Sequence, residues 1–284
     1  MDALAEDVLG ALADGDADPA ALRKTLGDSV RSLGDAGKRK GITTTLPLAL
    51  GLLQAQSRIR RVPVDGRLDN QRFRYTPWPD APRWEGSVTE ARVELARRYW
   101  DWIGVASIAH FRWFGGFGAR DAKAAVADLG LVPVGDDGLL ATPDTAAELA
   151  AFAAPATPQV ALIGWLDSLV LLRRDLPGVL DPADREHPLL EPSRSAGGSL
   201  TDLPHQGVVD RGRLIGLWDF DADAGEVAWA PIAELTAGQR DAVADAVAAT
   251  TEYVDTDLGD NRGMSLDSPK SRQPRLAALR RYHS

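Results

Sequence analysis

The hydrophobic period of the chain changes abruptly near residue 57. Before that point Leu46, Ala49, Leu50 and Leu53 recur at the three-and-four spacing that puts side chains on one helix face. After it, Arg58-Ile59-Arg60-Arg61-Val62-Pro63-Val64 and Gln71-Arg72-Phe73-Arg74-Tyr75 read as two extended runs on either side of Asp65-Gly66. Asp-Gly between extended runs predicts a tight hairpin, because both central residues of a type I′ turn need positive φ, which glycine adopts without strain. A helix that runs at once into a hairpin leaves few folds open.

The residues upstream narrow the choice. Leu4, Val8, Leu9 and Leu12 predict a helix over residues 3–13, which Asp14-Gly15-Asp16 ends. Asp18 before Pro19 is a helix start, running to about Leu26. A short element holds Val30 and Leu33, and a basic turn, Lys38-Arg39-Lys40-Gly41, follows. The run Thr43-Thr44-Thr45 is expected to cap the next helix, which reaches about Gln56. Helices followed by a two-stranded hairpin is the order of a winged helix-turn-helix, in which one helix enters the major groove and the hairpin lies on the backbone.

Charge agrees with that expectation locally but not globally. The chain is formally −9, yet residues 21–75 hold twelve cations against four anions. A chain polarised in this way can offer a basic face to a polyanion and stay soluble. The residues expected to contact DNA are Lys38, Arg39, Lys40, Thr43, Thr44, Arg58, Arg60, Arg61, Arg67, Arg72 and Arg74. The cations would neutralise phosphates and release counterions, and threonines before a helix can bond phosphates. Arg60, Arg72 and Arg74 alternate along extended chain, so one hairpin face would carry them together. The competing reading is a solvated hairpin edge protected by charge.

Beyond residue 75, a proline- and tryptophan-rich linker covers residues 76–87, and the helix–helix–helix–hairpin order then repeats. The expected division is a winged helix with a basic wing at 1–80, a second winged helix at 88–142, a mixed α/β unit at 157–254 and a polar tail at 255–284. The fold class expected is α+β: tandem winged helix-turn-helix modules followed by a mixed β-hairpin and helix unit. The second module has balanced charge and suits packing better than phosphate contact. Residues 181–204 read as a long surface loop, and Asp210-Arg211-Gly212 as a hairpin turn before Leu214–Asp219.

Several chemistries are excluded or weakened. The chain has no cysteine, so disulfides and thiolate chemistry are absent, and its four histidines lack metal-ligand spacing. No metal site and no cofactor is expected. No apolar run suits a bilayer span and the N-terminus lacks a signal-peptide layout, so no membrane partner and a cytoplasmic location are expected. Tyr99, Trp100, Trp102, Phe111, Trp113 and Phe114 recur at helical spacing and fit a core better than a base-stacking platform. Asp167, Asp175, Asp181 and Asp184 near Arg173 and Arg174 fit a salt-bridged surface better than an acid–base site, and His205 fits a structural role.

Four stretches taken in order resemble one family. They are the basic segment Arg60–Tyr75, Tyr99–Leu129 around Trp113-Phe114-Gly115-Gly116, Trp165–Ser168 running into Arg173-Arg174-Asp175, and His205 with Asp210-Arg211-Gly212-Arg213-Leu214-Ile215-Gly216-Leu217-Trp218. Together they resemble the AlkZ-like DNA glycosylases, bacterial crosslink-repair proteins built from tandem winged helices. The resemblance implies duplex DNA as a partner and, if the chain is an enzyme, hydrolysis of the N-glycosidic bond of alkylated or crosslinked bases. It also implies a Gln-x-Gln or Gln-x-Asp catalytic motif in a domain preceding the first winged helix. This chain is expected to begin at the family's second unit, with a separate chain as one possible source of the catalytic unit. Gln54-Ala55-Gln56 matches the motif in letters only. Residues two apart on a helix point roughly 200° apart, which sets Gln54 and Gln56 against convergence on one nucleotide. The expectation is a DNA-binding relative of the glycosylases; an active glycosylase and a protein-interaction module are the alternatives.

Overall fold

The computed structural model of the chain describes residues 2–64, 72–194, 197–258 and 269–283. It divides into two compact units, Met1–Glu85 and Gly86–Ser284. The fold is α+β, with helices interleaved with small antiparallel sheets.

The first unit opens with α1 (Asp2–Ala11) and α2 (Pro19–Leu26). Asp18 caps α2, its Oδ1 accepting from the Ala21 N–H at 2.7 Å, and Pro19 takes the first turn, where its missing N–H is no loss. A short α3 (Gly34–Arg39) and a longer α4 (Leu46–Ala55) follow, then β1 (Ile59–Pro63) and β2 (Phe73–Pro77). The strands pair antiparallel in the register Ile59↔Pro77, Arg61↔Tyr75 and Pro63↔Phe73. The core gathers Leu4 and Val8 from α1 and Leu12 just after it with Leu22, Leu46, Ala49, Leu50, Leu53, Ile59 and Tyr75. These are the positions that the helical spacing marks in α1 and α4. A further strand position escapes the sequence: Ala17 exchanges two backbone bonds with Tyr75, at 3.0 and 2.8 Å. One residue is too short to leave a period. The expected Asp65-Gly66 turn lies outside the described residues.

The second unit begins with α5 (Val88–Ile103), α6 (Ile108–Gly115), α7 (Ala119–Val126), the hairpin β3 (Val132–Val134) and β4 (Leu139–Ala141), and α8 (Pro143–Ala151). Ser87 starts α5 and Ser107 starts α6 with reciprocal capping boxes. Tyr99, Trp100 and Phe111 are buried in this part of the core, as their spacing predicts, whereas Trp102 and Trp113 are exposed. The Tyr99 hydroxyl donates to the Leu172 carbonyl at 2.8 Å, and burial pushes its pKa up to about 12.

Next come β5 (Val160–Ile163), a short α9 (Ser168–Leu171), β6 (Gln206–Asp210), β7 (Arg213–Asp221), β8 (Glu226–Pro231), α10 (Ala237–Tyr253) and α11 (Pro269–Arg281). The strands form one antiparallel sheet in the order β5-β6-β7-β8. β7 bulges where its register with β6 shifts, so Leu214 and Leu217 fall in a cluster with Leu276 and Leu279 of α11, and Ile215 and Trp218 in one with Val243 of α10. Both faces of the sheet are therefore covered. The β6–β7 turn puts Arg211 and Gly212 at φ 51° and 81°, as a type I′ turn requires. Gly216 is fixed by space, because a Cβ there would sit 2.8 Å from the Ala230 carbonyl oxygen.

Two expectations need correction. Residues 269–281 are a helix rather than part of a polar tail. Its buried residues are Arg272, Leu276 and Leu279, and two of its arginines meet buried acids: Arg275 Nε bonds Asp219 Oδ2 at 2.7 Å and Arg280 Nη2 bonds Asp221 Oδ2 at 2.6 Å. Composition hid this, because the helix is mostly charged and its partners lie some fifty residues upstream. The described part of residues 181–204 is likewise not an open surface loop. Two 3-10 turns, Pro182–Asp184 and Pro188–Ser193, start after Asp181 and His187 caps and bury Leu189 and Leu190.

Candidate nucleic-acid interface

The expected contact residues all lie in the first unit, and the structure sorts them into three places. Lys38 and Arg39 occupy the last turn of α3 and Lys40 follows it, all exposed. Two glycines shape this corner. Gly41 sits at φ 72°, and a Cβ on Gly37 would fall 2.2 Å from the Ile42 carbonyl oxygen. Lys38 meets Asp35 at 3.5 Å on an open surface, a contact that neutralises little.

The threonine run does not cap α4. It pairs with residues 31–33 through a bridge of Thr44 with Ser32: Leu33 N–H donates to the Thr43 carbonyl and Thr45 N–H to the Arg31 carbonyl. Thr45 stands at the N-cap position, but its Oγ1 accepts from the Arg31 N–H at 3.1 Å instead of from the helix. Pro47 in the first turn removes one of the donors a cap would satisfy. Thr43 is exposed and Thr44 is buried.

The hairpin carries its cations on two faces. The register sets Arg60 opposite Thr76 and Val62 opposite Arg74, while Val64 N–H bonds the Arg72 carbonyl. Strand alternation then places Arg60, Arg72 and Arg74 on one face. Arg60 lies 5.9 Å over the Trp78 ring, and Arg74 reaches Asp16 at 3.5 Å. Arg61 is on the opposite face, stacked 4.3 Å over Phe73 and 5.7 Å over Tyr75. Arg58, just before β1, is bound through both terminal nitrogens to Glu6 of α1, at 2.6 and 3.2 Å, and ties the hairpin base to that helix. Arg67 lies outside the described residues.

Between α2, α4 and the hairpin is a cleft of about 290 Å³. Arg23, Thr43, Thr44, Gln54, Arg61 and Tyr75 line it. Arg23 and Tyr75 are additions to the expected set. Arg23 could have been found from its place on the exposed side of α2, but nothing local ties Tyr75 to a cleft. Gln54 lines this space and Gln56, the residue that ends α4, does not. Apart from Gln54, α4 has no polar side chain; its exposed positions include Pro47, Leu48, Gly51 and Ala55. Among the described residues, Arg23, Arg39, Lys40 and Arg61 have no carboxylate partner. Also among the described residues, no group of three or more histidine and acidic side chains could hold a metal ion, and no helix is long and apolar enough to cross a membrane.

Among solved structures, this fold is similar to DNA glycosylase AlkZ of Streptomyces sahachiroi, with a TM-score of 0.60 and 21% sequence identity. The match covers 88% of this chain and 66% of that one, so the chain spans just under two thirds of that protein's length. No curated protein matches the sequence. The family described as DNA glycosylase AlkZ-like matches residues 1–253. The chain belongs to the AlkZ-like DNA glycosylase family.

Proposed function

We propose that the first unit is a winged-helix module that binds duplex DNA, in a protein whose role is related to that of DNA-repair glycosylases. The observation that carries this reading is the setting of α4. Its exposed apolar face lies between a basic corner on the N-terminal side and a hairpin bearing arginines on the C-terminal side. The Ala17–Tyr75 pairing supports the winged-helix part, since it adds a third, minimal strand to the hairpin between the first two helices. In this reading α4 approaches a groove, and the cations of the corner and hairpin neutralise phosphates on either side.

The composition of α4 limits what such binding can read. A glutamine can pair with an adenine edge, and Gln54 is the one polar side chain of the helix. Recognition therefore rests on backbone charge and shape, with weak base preference. Base excision is not assigned to Gln54 and Gln56, because only the first of them lines the cleft.

The test is duplex binding by fluorescence anisotropy on several unrelated sequences. Arg60→Glu with Arg61→Glu should lower affinity for all of them by a similar factor, while Gln54→Ala alters only modest differences between them. An affinity unchanged by the double charge reversal would overturn the assignment. Incubation with duplex carrying N7-alkylguanine tests the enzymatic alternative: base release abolished in Gln54→Ala would make the cleft a catalytic site.

A further inference from the structure

A cleft of the second unit, about 460 Å³, has a different chemistry from the interface above. Its size is within the range of small-molecule sites, roughly 300–1,000 Å³. His110 of α6, the Arg174-Asp175 corner after α9, and Arg185 and Arg194 beside the 3-10 turns form its walls.

Arg185 is held by a backbone carbonyl, while Arg194 and Arg174 also meet carboxylates. Arg185 Nη2 donates to the Pro177 carbonyl at 3.1 Å, while its Nε is buried and has no partner among the described residues. Arg194 donates to the carbonyls of Gly198 and Arg185 at 3.2 and 3.0 Å, and its carboxylate contact, Glu186 at 3.0 Å, is itself 85% exposed. Arg174 is fixed by both oxygens of Asp202 and lies 5.5 Å over the Trp113 ring. Its backbone is at φ 54°, a conformation that a non-glycine residue adopts at a cost and that clusters at functional sites.

The opposite wall accepts as well as donates. The Ser107 N–H donates to His110 Nδ1 at 3.2 Å, which places the ring proton on Nε2. Burial lowers the His110 pKa, so the ring is neutral, and Nε2 faces Asp175 Oδ2 at 3.7 Å. Among the described residues, no arginine or lysine pairs with Asp175. A bare anion held by the arginines would be repelled by this carboxylate, whereas a hydroxyl would donate to it.

We propose that this cleft binds a phosphate monoester that carries a hydroxyl, the chemistry of a sugar phosphate, with the phosphate on Arg185 and Arg194 and the hydroxyl on Asp175. Neither the family nor the interface of the first unit assigns this site. The same groups are offered by a free sugar phosphate and by a DNA strand whose 5′ end is an abasic deoxyribose phosphate, where the lost base leaves a hydroxyl at C1.

The test is calorimetric titration of the whole chain with deoxyribose 5-phosphate, with inorganic phosphate and unphosphorylated deoxyribose as comparisons. Deoxyribose 5-phosphate should bind, and Arg185→Ala should weaken it by about tenfold or more. Arg185 also holds the Pro177 carbonyl, so Asp175→Asn provides a reading that leaves that bond in place. It should weaken the sugar phosphate while leaving inorganic phosphate unchanged or tighter. A nicked duplex whose 5′ end is an abasic deoxyribose phosphate, compared with one ending in the same sugar without phosphate, separates the sources. An affinity difference erased by Arg185→Ala identifies the strand end, and no difference identifies the free molecule. No binding of deoxyribose 5-phosphate, equal binding by Arg185→Ala, or equal effects of Asp175→Asn on both phosphates would overturn the proposal.

Discussion

His205 shows how one side chain can set a pH dependence for a whole unit. It is 3% exposed and its Nδ1 has no partner among the described residues. Burial, with the positive charge of Arg275, lowers its pKa to about 4. An unfolded histidine takes its proton near pH 6.5. Between these values the unfolded chain binds more protons than the folded one, so acid favours unfolding. Stability therefore falls by up to roughly 1.4 kcal/mol per pH unit on going from pH 6.5 towards 4. Above pH 6.5 the residue adds no slope. Urea unfolding across pH 4.5–7 should show this loss in the parent chain and a shallower one in His205→Gln; parallel curves would refute the assignment. Arg275 belongs to the same neighbourhood and has a different role. Its bond to the buried Asp219 balances a charge that water cannot reach. Arg275→Ala should destabilise the second unit by about 3 kcal/mol, because it leaves that carboxylate behind. A shift within experimental error in thermal unfolding would show that Asp219 is compensated elsewhere.

At the scale of elements, α4 makes the sharpest local prediction. Gly51 sits inside the helix with ordinary φ, is exposed, and has open space where a Cβ would go. Gly51→Ala should stabilise the first unit by about 1 kcal/mol, the usual helix-interior difference. Denaturant unfolding reads it directly, and a destabilised variant would mean that the helix surface is not open. Elements with a strong period were legible in the sequence: α1, α4, both strands of the first hairpin and the β6–β7 turn follow the spacing of their apolar residues and turn glycine. What stayed hidden depended on distant partners. Nothing local marks Ala17 as a strand position, since its bonds are to Tyr75. The charged α11 reads as solvent-exposed until Asp219, Asp221 and the leucine-lined sheet face are known. The threonine run looked like a cap because threonine caps helices, yet pairing with residues 31–33 took its backbone and the Thr45 hydroxyl. The candidate interface shows the same division. Its cations and the shared face of Arg60, Arg72 and Arg74 are visible in the sequence, but the stacking of Arg61 on Phe73 and Tyr75 needs the register.

For the molecule as a whole, the net charge of −9 runs against a nucleic-acid role, while the twelve cations of residues 21–75 support one. Binding through the first unit should accordingly be electrostatic, tolerant of sequence and steep in salt. The direct test is the affinity of the whole chain for duplex DNA over a salt series, compared with a variant carrying Lys38→Glu, Arg39→Glu and Lys40→Glu. These side chains are exposed, so the variant should fold like the parent, as circular dichroism can check. The slope of log affinity against log salt should become shallower by about 0.9 for each phosphate that the variant no longer neutralises, with weaker binding to every duplex tried. Matching slopes and affinities for variant and parent across the series would contradict the account.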